Sequence, residues 1–160
     1  MAWEIERKFL VKNDSWRSGV ERAVKMVQGY ISGGAGAPTV RVRIAGDRGI
    51  LTIKGKAAGL VRSEFEYDIP PADARYMLEN LCGARVVEKT RFFCGRWEID
   101  EYAGLNAGLV TAEIELDAPD ETFEIPGWLG NEVSDDPRYT NASLSKRPYS
   151  TWEKENERPL

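Results

Sequence analysis

The 160-residue chain contains no histidine. That absence removes Ser-His-Asp triads, H-E-x-x-H metalloproteases and most zinc catalysis, all of which need an imidazole. Its two cysteines, Cys82 and Cys94, are too few for a disulfide framework or a four-ligand zinc site. With no extracellular cue, both read as free, core-filling thiols. No apolar run approaches the roughly 18 residues of a membrane span. The opening MAWEIERKFLV sets Glu4, Glu6, Arg7 and Lys8 where a signal peptide needs apolar residues, so a reduced, cytoplasmic setting is expected. A basic excess is lacking too: 22 Lys and Arg against 26 Asp and Glu give a formal charge of −4. This speaks against a nucleic-acid or anionic-membrane coat and leaves room for a local basic cavity.

What is present is an ordinary globular composition, 42% hydrophobic and 30% charged, in a chain long enough to bury a core without metal or disulfide. There is no internal repeat or linker. A single domain over residues 1–150 with a polar tail at 151–160 is the expected organisation. Most of the chain alternates with period two, and residues 3–11, 24–31, 39–46, 50–56, 61–69, 85–94, 96–104 and 108–116 read as strands. SGGAGAP after Ile31 is a flexible turn, and Asp47 to Gly49 a tight one. The period changes in PPADARYMLENLCG, where prolines open and glycine closes a helix over 71–82. A short helix is expected near 126–132 and another at 141–145, with loop elsewhere and a loose tail after Trp152. The short connections imply a mainly β (α+β) fold, an antiparallel sheet closed or nearly closed on itself.

The strands carry like-charged pairs at i, i+2: Glu4/Glu6, Glu64/Glu66 and Glu113/Glu115, against Arg41/Arg43, Lys54/Lys56 and Lys89/Arg91. Residues two apart on a strand point the same way. Alternation alone cannot say which face of a barrel points inward, and by itself it favours a greasy interior with charges in water. The sorting by sign argues the other way, because a like-charged pair repels unless something sits between its members. Clustered carboxylates suit a hard cation such as Mg²⁺ or Mn²⁺. Clustered Arg and Lys suit phosphate oxygens. One cavity holding both kinds points to a metal–polyphosphate complex, either bound only or turned over by phosphoryl transfer.

EIERKFLV at 4–11, VRVRI at 40–44, LTIKGK at 51–56, EFEYDI at 64–69, EKTR at 88–91, WEIDEY at 97–102 and AEIEL at 112–116 follow in order, with DPRYTNASLSKRPY at 136–149. This ordered set resembles the small bacterial members of the CYTH, or triphosphate tunnel metalloenzyme, superfamily. The resemblance implies an eight-stranded antiparallel closed barrel with a few short helices outside. It also implies hydrolysis of inorganic triphosphate to pyrophosphate and phosphate, with Mg²⁺ or Mn²⁺ as cofactor. By motif match, Glu4, Glu6, Glu113, Glu115 and Asp100 would hold metal. Lys8, Arg41, Arg43, Lys54, Lys56, Lys89, Arg91, Lys146 and Tyr30 would grip the phosphate chain, Lys56 ranking below Lys54 because it ends its strand. Lys8, Arg41, Glu64 and Glu66 would act in the chemistry. Gln28 matches a tunnel-edge position, whereas Glu98 reads as an outward or rim charge. Nucleoside or thiamine triphosphatase, adenylyl cyclase of the same superfamily and a non-catalytic polyphosphate-binding module are the alternatives. The expected partner is a polyphosphate-bearing small molecule, not nucleic acid or membrane, and the chain is expected as a monomer or homodimer.

Overall fold

The period-two stretches become strands. In the computed structural model, which describes residues 2–31, 36–83 and 86–156, they are β1 (Ala2–Val11), β2 (Arg22–Ile31), β3 (Thr39–Ala45), β4 (Arg48–Lys54), β5 (Val61–Ile69), β6 (Val87–Cys94), β7 (Trp97–Tyr102) and β8 (Val110–Glu115). Neighbouring strands run β1-β5-β4-β3-β2-β6-β7-β8 and return to β1, each pair antiparallel. Closure removes the open edges that an eight-stranded sheet would otherwise expose. The glycine-rich turn expected after Ile31 lies mostly outside the described residues, as do Arg85 and the last four residues.

Several local expectations are corrected. The segment near 126–132 is not a helix but a ninth strand, β9 (Leu129–Glu132). It lies along the flank of β1 that β5 leaves after Ile5, pairing Phe9 with Glu132 and Val11 with Leu129. A free backbone edge thus outweighs the weak local helix signal. The turn between β3 and β4 lies one residue or more earlier than expected, with Gly46 at φ 62°, a left-handed conformation that glycine adopts without steric penalty. The helix expected at 141–145 is present as α2 (Asn141–Lys146), but the loop expected around it is helical too: a 3-10 turn at Pro137–Tyr139 precedes it, and α3 (Tyr149–Asn156) runs past Trp152 where composition suggests a loose tail. Thr140 caps α2 by accepting from the Ser143 amide at 3.1 Å, and burial of Trp152 to 4% exposure anchors α3. We label the 71–82 helix α1, observed as Pro71–Asn80 and numbered first in chain order. Among the described residues no helix is long and apolar enough to cross a membrane.

The apolar stripes face outward and are covered from outside. Ala74 and Leu78 of α1, one helical turn apart, pack with Cys82 on Val42 of β3. Gly29 of β2 permits this contact, since a Cβ there would stand 2.7 Å from the Cys82 Cβ. On the other side Phe9, Trp97, Ile99, Ala112 and Ile114 form the outer face of β1, β7 and β8, covered by Trp16 and by Leu116 and Leu129. A third cluster closes the barrel interior at one end. Inward-facing Val87, Tyr102 and Leu109, with Leu10, meet Leu144 and Trp152 of α2 and α3. Most of the remaining interior positions carry the charged stripe, with Gln28, Tyr30, Thr52 and Thr111 as neutral polar members.

Candidate active site

That interior is a cavity of about 560 Å³ lined by Glu4, Glu6, Lys8, Tyr30, Arg41, Arg43, Lys54, Glu64, Glu66, Lys89, Arg91, Glu113 and Glu115, all expected from the sequence. Strand order sorts them by sign. The contiguous strands β5, β1, β8 and β7 present Glu64 and Glu66, Glu4 and Glu6, Glu113 and Glu115, then Glu98 with Asp100 behind it. Opposite them, β4, β3, β2 and β6 present Lys54, Arg41 and Arg43, Tyr30, then Lys89 and Arg91. One half of the barrel is therefore an acidic wall and the other a basic wall. Lys8 on β1 and Arg62 on β5 are basic exceptions within the acidic half.

Opposite charges meet where the walls join. At the β4/β5 seam, Lys54 Nζ is 3.3 Å from Glu64 Oε2, and Arg41 approaches Glu66 at 3.9 Å. Lys54 also reaches Glu4 at 2.8 Å. At the β6/β7 seam, Asp100 accepts from Lys89 Nζ at 2.7 Å and from Arg91 Nε at 2.8 Å and NH2 at 2.9 Å. Glu98 pairs with Arg91 at 2.8 Å. Between the seams the basic wall is bridged by neutral groups of β2: Arg43 Nε donates to Gln28 Oε1 at 2.9 Å, and Gln28 Nε2 donates to Tyr30 OH at 2.8 Å. Lys8 Nζ lies 3.3 Å from Glu113 Oε1 and donates to the Tyr139 carbonyl at 3.0 Å.

Repulsion persists at the centre of each wall. Burial, with the Glu113 and Glu4 carboxylates beside it, holds the Glu6 carboxyl well above its usual range. Burial and Glu4, Glu98 and Glu64 raise Glu115 as well. Across the cavity, burial and the neighbouring Arg41 and Arg91 push Arg43 down to about 10. Burial pushes Lys89 down to about 7, with Arg91 and Arg43 adding to it and Asp100 opposing. Glu113 and Lys8, paired with each other, behave differently. Burial opposes ionisation of Glu113, but Lys8 and Arg91 hold it down at about 2. Against burial, Glu113 keeps the Lys8 ammonium above its ordinary value, so Lys8 is charged at neutral pH. The Arg41 Nε is buried without a hydrogen-bond partner, an unsatisfied donor on the basic wall.

Three sequence expectations are corrected. Lys56 lies beyond the end of β4, exposed, and does not line the cavity. Lys146 sits on α2 and lines a separate depression with Pro137, Arg138 and Trp152, because the helix turns that side chain away from the barrel. Asp100 lies beneath the wall at 1% exposure, with both oxygens taken by Lys89 and Arg91. The structure adds Arg62, Arg96, Glu98, Thr39, Thr140, Asn141 and Ala142 to the lining. Arg62 and Glu98 share the parity of their strands' charged stripes, so extending those stripes finds them. Asn141 carries no sequence signal, since it reaches the cavity on a helix from the distant C-terminal segment.

The donor chemistry of the acidic wall fits a hard cation: it offers carboxylate oxygens, and at Glu6 burial and the neighbouring carboxylates disfavour ionisation unless a cation offsets them. As they stand, no three acidic side chains among the described residues converge to enclose an ion. Closing on one takes rotation of the glutamate side chains.

Comparison with known proteins agrees with this architecture. An inorganic triphosphatase from Acetivibrio thermocellus is 46% identical over 156 residues, covering 95% of this chain and 99% of the relative. An inorganic triphosphatase from Nitrosomonas europaea is 35% identical over 150 residues, covering 89% and 96%. The crystal structure of an inorganic triphosphatase superposes with a TM-score of 0.65 at 33% identity, covering 89% of this chain and 97% of the other. A Hippeastrum protein at 15% identity and a TM-score of 0.54, covering 73% and 81%, shares the fold. The model of the CYTH domain matches residues 2–149, and the chain belongs to the CYTH domain family.

Proposed function

We propose that this protein hydrolyses inorganic triphosphate to pyrophosphate and phosphate in a divalent-metal-dependent reaction. The observation that carries the reading is the division of one cavity into an acidic and a basic wall, with like-charged neighbours disfavouring the charged form at the centre of each. A polyanion relieves the basic wall and a cation bound to it relieves the acidic one. Neither alone relieves both.

Arg41, Arg43, Lys89 and Arg91 would grip the phosphate chain, the guanidinium groups supplying forked donors to its oxygens. Lys54 and Tyr30 would extend the grip along β4 and β2. The Arg41 Nε gains the acceptor that it lacks. Glu4, Glu6, Glu113 and Glu115 would hold Mg²⁺ or Mn²⁺, which supplies charge neutralisation at phosphate oxygens when bound. Water attacks the terminal phosphorus, the bridging P–O bond breaks, and the electron pair leaves with pyrophosphate. Lys8 is charged, so it cannot act as a base. Its role is to stabilise charge on the phosphate oxygens in the transition state. Glu64 and Glu66 orient the attacking water and accept its proton.

A phosphate-release panel tests the proposal, with triphosphate, ATP, thiamine triphosphate and longer polyphosphate, each with Mg²⁺, Mn²⁺, Ca²⁺ or no metal. The expected result is metal-dependent release with triphosphate preferred. Tight triphosphate binding without phosphate release under any metal overturns the catalytic reading in favour of a binding module. Cyclic AMP formation from ATP overturns it in favour of a cyclase.

A further inference from the structure

Asn141, the first residue of α2, reaches the cavity from outside the barrel. Its Oδ1 accepts from Lys89 Nζ at 3.0 Å and from Tyr102 OH at 3.2 Å. Lys89 is 3% exposed and lines the cavity, and its second fixed contact is Asp100 at 2.7 Å. An ammonium has three N–H donors. With two directed at Asp100 and Asn141, the orientation of the third is no longer free. A lone Asp100 would leave the ammonium to rotate about that single contact. The acceptor is a neutral amide, so it fixes direction without adding negative charge to the wall that must receive a polyanion.

We propose that Asn141 is a positioning residue, which orients the Lys89 ammonium so that its remaining N–H faces the bound phosphate chain. The assignment rests on the triphosphatase reading above and adds a C-terminal residue to that site. A neighbouring contact ties the same segment to the barrel, where Lys8 Nζ donates to the Tyr139 carbonyl at 3.0 Å. The 3-10 turn and the start of α2 thus meet two of the cavity's lysines, but only Asn141 meets its lysine through a side chain that can be exchanged without altering the backbone.

The test uses the full chain with Asn141→Leu and Asn141→Asp. Leucine keeps the size and removes the acceptor. Aspartate keeps the acceptor and adds charge. Orientation matters most in the transition state, so Asn141→Leu is expected to lower kcat about tenfold, roughly one charge-assisted hydrogen bond, with little change in KM. Asn141→Asp is expected to retain kcat and to raise KM, because its charge opposes the incoming polyanion. The ¹³Cε resonance of Lys89, assigned with Lys89→Arg, is expected to move in Asn141→Leu. Unchanged kcat in Asn141→Leu overturns the proposal, as does an equal loss of kcat in both variants that tracks their loss of Tm, the mark of a merely structural residue. If the parent chain releases no phosphate, the triphosphatase reading falls. The Lys89 resonance then decides the positioning role by itself, and an unmoved signal in Asn141→Leu overturns it.

Discussion

Lys89 Nζ donates to Asp100 Oδ2 at 2.7 Å, and neither side chain is more than 1% exposed. Arg91 holds the other oxygen of the same carboxylate at 2.8 Å. Asp100 is therefore a structural anion beneath the basic wall, and its carboxyl is held far below its usual range by Arg91 and Lys89 against the effect of burial. Removing it leaves Lys89 without its buried counter-charge and leaves Arg91 to Glu98 and, at 3.9 Å, Glu113. Asp100→Ala is expected to destabilise the protein by about 3–5 kcal/mol. Urea unfolding measures this, and a loss below about 1 kcal/mol contradicts the structural role.

Glu6 has the opposite linkage. Its folded-state pKa is raised above the ordinary 4.5, so its favourable contribution is complete below that value and is lost as pH rises through the raised value. At neutral pH the metal-free fold therefore bears a cost at Glu6, because the unfolded chain ionises this carboxyl more readily than the fold does. Glu6→Gln is expected to raise Tm in the presence of a chelator at neutral pH, with the gain vanishing by about pH 4.5, and to lower kcat by about a hundredfold. Thermal melts across pH and phosphate release read the two effects. A variant that is destabilised at neutral pH, or fully active, contradicts the role assigned to Glu6.

Arg41 supplies an unpartnered donor on the basic wall. Arg41→Ala is expected to lower kcat/KM for triphosphate by about ten- to a hundredfold, the equivalent of one charged hydrogen bond. Lysine at this position should restore charge but not the fork, and so recover only part of the loss. Steady-state kinetics separates the three proteins, and a kcat/KM for Arg41→Ala equal to that of the parent removes Arg41 from the clamp.

Lys89 provides a pH signature. Its folded-state pKa lies below the ordinary value, at about 7, so the folded protein holds fewer protons than the unfolded chain between about 7 and the ordinary 10.5. Its contribution to stability therefore rises with pH across that window. Substrate favours the charged ammonium, so triphosphate binding takes up a proton above pH 7, and KM is expected to rise there. Lys89→Arg should flatten that rise. A KM that is independent of pH between 6 and 9 in the parent contradicts the assignment.

Much of the architecture was legible in one dimension. Alternation located the eight barrel strands because inward and outward side chains face different solvents, and this shows even in a short segment. VKMVQGYI alternates less clearly than the other strands, yet it is the middle of the basic wall, because Gln28 and Gly29 do their work through contacts with Arg43 and Cys82 rather than through a visible pattern. The 126–132 segment carries a local helix signal and yet forms β9, because what recruits it is the free flank of β1, a long-range partner. Lys146, which the family motif places with the phosphate-gripping residues, lines a different depression, whereas Asn141, five residues earlier on the same helix, reaches the cavity.

The sequence by itself determined which residues share a strand face and that one sign of charge predominates on each, Lys8 and Arg62 being exceptions, because period-two geometry is local to each strand. Only the tertiary structure decided that those faces turn inward, and that strands of like sign become neighbours so that carboxylates oppose guanidinium and ammonium groups across a single cavity. The reason is that strand order depends on backbone pairing between segments far apart in the chain. The preference for an interior of charges depends in turn on helices and loops from elsewhere covering the apolar outer face.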